Sequence, residues 1–110
     1  MALPPIRKDR GLSKLVAKCA AWSWDRKIIQ NSNKSVQCLK LVSEVGELAD
    51  NIAKGRDVED DIGDCLVVLN NLALMHNTTL ELCLEVAYED IKDRKGQMNK
   101  NGVFIKEGDE

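Results

Sequence analysis

At 110 residues, 31% charged and 44% apolar with a formal net charge of −2, the chain has the size and balance of one soluble globular domain. Its longest unbroken apolar run is Cys65–Leu69, far short of a membrane span, and no basic helix is interleaved with aromatics, which argues against direct nucleic-acid binding. The two prolines stand at positions 4 and 5 and strand-like alternation is almost absent, so the chain reads as all-α, a single domain over residues 1–110.

Residues 1–12 read as an N-terminal arm. Pro4, Pro5 and the basic stretch Arg7–Arg10 leave no apolar segment of a secretory leader, so a cytoplasmic setting is expected. The first helix is expected from Ser13, as N-cap, to about Gln30, where the polar "NSNKS" loop begins. A second runs from about Ser35 to Gly55, a natural residue just past a helix C-terminus. The third spans about Asp57 to His76. After the "NTT" turn, Thr78 and Glu81 have capping-box spacing and open a fourth helix expected to reach Gly96. The tail, residues 97–110, is too short and polar for another core element. A four-helix bundle follows.

Within the third helix, Cys65, Leu66, Val67, Val68 and Leu69 are consecutive; at ~100° per residue they cover every side. A helix apolar all round is buried all round, and four short helices do not surround it. A homodimer or homotetramer packed on this segment is the expected solution. The four cysteines, 19, 38, 65 and 83, form no CxxC pair and read as buried reduced thiols.

Acidic residues carry the strongest pattern. On the second helix Gln37, Lys40, Glu44, Glu47 and Asn51 fall within an arc of roughly 80°, beside an apolar stripe of Leu41, Val42, Val45, Leu48 and Ile52. On the third, Asp57, Asp61 and Asp64 share a face that continues into Val68 and Asn71. Glu-x-x-Glu is thus followed, thirteen residues on, by Asp-x-x-Asp, and each i, i+3 pair shares one helix face. One such pair alone reads most simply as a solvated face. Two pairs on consecutive helices, both leading toward buried positions, read equally as a site. Converging carboxylates carry a high electrostatic cost unless cations are present, and all-oxygen ligands suit Mg²⁺, with Mn²⁺ a substitute. Gly46, without a side chain, gives a neighbouring helix or ligand room for close approach. A di-iron site needs Glu-x-x-His motifs, and the single histidine, His76, has no such partner.

Charge is segregated. Residues 43–64 hold eight acids against two bases, and residues 92–106 hold five bases against one acid. That division suits a metal with an anionic ligand, and equally simple intramolecular pairing.

"QCLKLVSEVGELADNIAKG" followed by "DDIGDCLVVLNNLA" resembles the MazG-type all-α nucleoside triphosphate pyrophosphohydrolases, whose signature is ExxE, a spacer, then ExxD. Trp22 and the closing "AYEDIKDRKGQMNKNGVFIKE" add to a likeness with small, phage-type members. The resemblance implies Mg²⁺-dependent hydrolysis of a nucleoside triphosphate, ribo or deoxy, to the monophosphate and pyrophosphate. Glu44, Glu47, Asp61 and Asp64 match the metal-binding positions, and one of Glu44 and Glu47 would be the general base. For the phosphates Lys40 is the first candidate, then Lys92, Arg94 and Lys95. Gln37 accompanies Lys40 in the matched stretch, Trp22 is the candidate to stack on the base, and Asn71 to hydrogen-bond sugar or base. Two positions depart from the family pattern: Asp61 stands where Glu is usual, and Ser43 where many members carry a further Glu. They motivate an alternative, a non-catalytic helical module that binds nucleotide or protein.

Overall fold

The computed structural model describes residues 10–109; the expected N-terminal arm lies almost wholly outside them. In chain order the elements are α1 (Leu12–Asp25), α2 (Ile28–Asn31), α3 (Lys34–Ala53), α4 (Glu59–Met75), α5 (Leu80–Ile91), β1 (Gly96–Met98) and β2 (Phe104–Lys106). Residues up to Leu80 form one compact unit and those from Glu81 another.

In the first unit α3 packs chiefly on α4, α1 packs on α4, and the short α2 touches both α1 and α4. The expected first helix is two helices. Trp22 and Trp24 carbonyls accept from the Arg26 and Lys27 amides, and Lys27 then adopts φ 66°, a left-handed conformation that interrupts a helix of L-residues. Ser13 is not the cap: Gly11, at φ 79°, precedes α1, and no side chain caps it.

Around α3 the local rules hold. The Asn33 side chain accepts from the Val36 amide at 2.9 Å, an N-cap bond that satisfies one of the helix's unpaired donors. At the far end Gly55, at φ 67°, donates to the Ile52 carbonyl while Arg56 donates to Asn51. That is a Schellman ending. It turns the chain within residues 54–58, so α4 runs back along α3. Asn77, at φ 57°, and Thr78 close α4 by the same pair of bonds, to Leu74 and Ala73.

The second unit departs from an all-α chain. α5 stops at Ile91 rather than Gly96, and the tail forms an antiparallel hairpin with Gly96 opposite Lys106 and Met98 opposite Phe104. Gly96 is needed there, because a Cβ would lie 2.2 Å from the Ile105 carbonyl oxygen. With strands of three residues each, no alternation is long enough to register in the sequence.

The interior is polar. Among the described residues the buried apolar side chains are Val68 and Ala73, against six buried polar ones: Ser23, Gln37, Glu44, Asp61, Asn70 and Asn71. The apolar run of α4 is not enclosed by this chain, since Leu66 and Leu69 remain exposed and Cys65 and Val67 half-buried. The cysteines are all unpaired as expected, but none is buried: Cys38 and Cys83 are exposed, Cys19 and Cys65 intermediate.

Candidate metal centre

The α3–α4 seam is zipped by three cross-helix relations that fix its register. Near the turn, the Asn51 amide donates to Asp61 Oδ2 at 2.8 Å. In the middle, Glu44 and Asp64 act on each other electrostatically. At the far end the Asn71 amide donates to Gln37 Oε1 at 3.2 Å, and the Gln37 amide donates to Ser32 Oγ at 3.1 Å. Residue numbers rise on α3 as they fall on α4, the signature of antiparallel neighbours. Glu44, Asp61 and Asp64 therefore lie along one seam, with Glu47 exposed one turn beyond Glu44 on α3.

Glu44 is the most informative of the four acids. It is only 6% exposed. Lys40 Nζ takes its Oε1 at 3.0 Å, one turn earlier on α3, while Oε2 is buried with no hydrogen-bond partner. A buried acceptor without a donor costs about 1–3 kcal/mol, more when it is charged, and a bound cation is the natural remedy. Asp61, 8% exposed, is held through Oδ2 by Asn51. Glu47 is exposed and Asp64 half-buried, and among the described residues neither has a hydrogen-bond or ion-pair partner.

Three ionisable groups lie in the same field. Lys40 is held above the ordinary lysine value by its hydrogen bond with Glu44, then by the charge of Glu44 and, more weakly, of Glu47 and Asp64. The Asp64 carboxyl is raised by desolvation first, then by the like charges of Asp60, Glu44 and Asp61. Desolvation, followed by Glu44, Asp64 and Asp61, also pushes up the Cys65 thiol, which keeps it protonated and a poor ligand. Four carboxylates face one paired ammonium.

The array is open. Among the described residues no three His, Cys, Asp or Glu side chains stand close enough to hold a metal as they lie. The unpartnered Glu44 Oε2 and the uncompensated charge nevertheless fit a hard divalent cation, which oxygen ligands bind with flexible geometry. Among the described residues nothing packs against Gly46: a Cβ there would meet nothing within 4 Å.

The remaining candidates fall in different places. Asn71, 3% exposed, leaves its own Oδ1 buried and without a partner, so with Gln37 it forms a second polar position on the seam. Trp22 is exposed, with the Arg26 guanidinium 5.4 Å above its ring. Lys92 and Arg94 belong to the second unit, where they pair with Glu89 at 2.7 Å and Asp90 at 2.9 Å. Lys95 lines a shallow cleft there with Asp90, Asp93, Arg94, Lys106 and Glu107. The basic end of the chain is thus matched in part by its own acids. The sequence places Asn51 on the acidic arc without giving it a role, and it gives no sign of Ser32. Asn51 lay on the acidic arc one turn beyond Glu47, which was a usable signal; Ser32 sits in a loop where nothing pointed to it.

Comparison with known proteins places this geometry in a family. The sequence profile of the MazG nucleotide pyrophosphohydrolase domain matches residues 32–102, a span that holds all four acids, Gln37, Lys40, Asn51 and Asn71 but not Trp22. An uncharacterized 18.2 kDa protein from the rep-hol intergenic region of Haemophilus phage HP1 (strain HP1c1) is 38% identical over 64 residues. That alignment covers 56% of this chain and 39% of the relative. No solved structure matches the chain significantly. Proteins of the family typically hydrolyse nucleoside triphosphates and generally use divalent metals.

Proposed function

The chain belongs to the MazG nucleotide pyrophosphohydrolase domain family, and from that premise we propose that it is a Mg²⁺-dependent hydrolase of nucleoside or deoxynucleoside triphosphates. The products are the monophosphate and pyrophosphate. The observation that carries the reading is Glu44, a nearly buried carboxylate with an unpartnered oxygen on a seam shared with Glu47, Asp61 and Asp64. These four acids would hold the metal. When bound, Mg²⁺, or Mn²⁺ in its place, neutralises phosphate charge and makes the attacking water more acidic.

The chain's own groups do the rest. Water adds to the α-phosphorus, the bond to the α,β-bridging oxygen breaks, and pyrophosphate departs. Of the two motif glutamates, Glu44 has one oxygen committed to Lys40, whereas Glu47 has none committed among the described residues. Glu47 is therefore assigned as the proton acceptor. Lys40, more than half exposed beside the acids, meets the phosphates. Asn71 Oδ1, held in place through Gln37, accepts a hydrogen bond from sugar or base, and Trp22 offers its ring for stacking.

We also infer that the working form is a homodimer or homotetramer. Leu66 and Leu69 on α4, and Leu82, Leu84, Val86, Tyr88 and Ile91 on α5, are all exposed, more apolar surface than a monomer ordinarily leaves in water. No helix among the described residues is long and apolar enough to cross a membrane, and the unpaired cysteines accord with a reducing cytoplasm.

The test is pyrophosphate release from a panel of nucleoside triphosphates with and without Mg²⁺, beside Asp64→Asn. Turnover independent of Mg²⁺, or undiminished in a folded Asp64→Asn chain, refutes the assignment. The open spacing of the acids favours one second reading, a nucleotide-binding module without hydrolysis. Calorimetric binding of a non-hydrolysable nucleotide by a chain that releases no pyrophosphate would establish that reading instead.

A further inference from the structure

We propose that Asn51 is a positioning residue for the metal ligand Asp61, clamping one carboxylate oxygen so that the other is presented to the cation. The inference rests on the metal-site reading above. Lys40, Glu44, Glu47 and Asn51 follow one another at spacings of four, three and four, one stripe along α3 with a donor at each end. Each donor serves one of the two buried acids. Lys40 takes Oε1 of Glu44 at 3.0 Å and Asn51 takes Oδ2 of Asp61 at 2.8 Å. Glu47 and Asp64, more exposed, have no such donor among the described residues.

The chemistry of the donor matters. A cation beside Asp61 would compete with the metal for its charge. A neutral amide lends one hydrogen bond and leaves the charge available, as partners of metal-binding carboxylates generally do. Aspartate, with a single methylene, has only two torsions to fix, so one bond at Oδ2 orients the whole group. Asn51 is itself anchored, since its carbonyl accepts the Arg56 amide in the Schellman ending of α3. The clamp is therefore built on a residue whose backbone takes part in the turn joining the two acidic helices.

Mn²⁺ binding without nucleotide, read from the loss of the free-ion electron paramagnetic resonance signal, tests the proposal apart from turnover. Asn51→Leu keeps the side chain's volume and removes the donor; it is expected to weaken Mn²⁺ binding roughly ten- to a hundredfold, the range for loss of a ligand's hydrogen-bond partner. Asn51→Gln keeps a donor on a longer arm and is expected to fall between. Adding Asp61→Asn to Asn51→Leu is expected to cost less than the two single losses combined, because both act at one ligand. If circular dichroism shows Asn51→Leu unfolded, Asn51→Ala, which also removes the donor, carries the same comparison. Asp64→Asn separates the two levels. Should wild type bind no Mn²⁺, or Asp64→Asn bind as tightly, the metal-site reading falls and this inference with it. Should Asp64→Asn lose binding while folded Asn51→Leu stays within twofold of wild type, or the losses at 51 and 61 add fully, the positioning role alone is overturned.

Discussion

Replacing Glu44 by glutamine separates the two things that this side chain does. Without metal, Glu44 is a nearly buried carboxylate whose Oε2 has no partner, a defect of about 1–3 kcal/mol. Glutamine removes the charge and turns one acceptor into a donor. What it gives up is an ion pair with an exposed lysine, a kind of contact that contributes little. Metal-free Glu44→Gln is therefore expected to be more stable than wild type by about 1 kcal/mol or more, raising Tm by about 4–8 °C per kcal/mol for a domain of this size. Saturating Mg²⁺ reverses the order. At a hundred times its Kd a ligand stabilises by about 2.7 kcal/mol, a gain open to wild type and largely closed to the variant. Thermal melts with and without Mg²⁺ read the crossover, and pyrophosphate release, expected to fall at least about a hundredfold, runs beside them. A variant that melts lower without metal and still turns over would refute the reasoning, since Glu44 would then be a structural acid only.

The Asp64 carboxyl titrates above its ordinary value of 3.8, so between that value and the raised one the folded chain holds more protons than the unfolded chain. Metal-free stability should therefore fall as pH rises through that window and then level off. Asp64→Asn should flatten the slope, and apparent Mg²⁺ affinity should climb with pH over the same range; denaturation and titration series check both, and equal slopes in the two proteins would contradict the assignment. Gly96→Ala drives a methyl against the Ile105 carbonyl, 2.2 Å away, and should open the hairpin at a cost of about 1–3 kcal/mol, seen as faster amide exchange at Met98 and Phe104. Leu84→Glu places a charge on an exposed apolar position of α5 and should shift sedimentation toward smaller species; an unchanged sedimentation coefficient would remove α5 from the subunit interface.

Long-range order was legible where local chemistry is strong. Gly55 ends α3 as expected because it tolerates positive φ, a signal that needs no tertiary context; the start was expected near Ser35, and the cap is Asn33, whose side chain supplies the acceptor. The placing of Glu44, Asp61 and Asp64 along one seam followed from helical periodicity and a short turn. Lys27 and the hairpin were not legible for the opposite reason. Lysine carries no preference for φ 66°, and strands of three residues are held by pairing across the hairpin rather than by their own pattern. At Gly46 the space beside the helix is open, so the room expected there for a helix or a ligand is not filled by a helix among the described residues.

The exposed apolar surface and the polar interior have one origin. Gln37, Glu44 and Asn51 lie on a single face of α3, and that face is turned toward α4, where Asp61 and Asn71 meet it. A helix that commits its inner face to amides and carboxylates must turn its apolar stripe elsewhere. On α3 that stripe is Val42, Val45 and Ile52, all exposed, with Leu41 and Leu48 half-buried. In most small domains the apolar stripe supplies the core; here the buried side chains among the described residues are Val68 and Ala73 against six polar ones, four of them on the seam. Hydrophobic burial enough to offset the conformational entropy of folding must then come from outside the seam. A second copy covering the stripes of α3 and α4 would provide it and leave the carboxylates at the seam to the metal. On this reasoning folding, assembly and metal binding are linked equilibria. Tm should accordingly rise with protein concentration, and Mg²⁺ should raise it further at each concentration. A Tm independent of concentration would show that the chain is stable alone and that its polar seam costs less than the unpartnered groups imply.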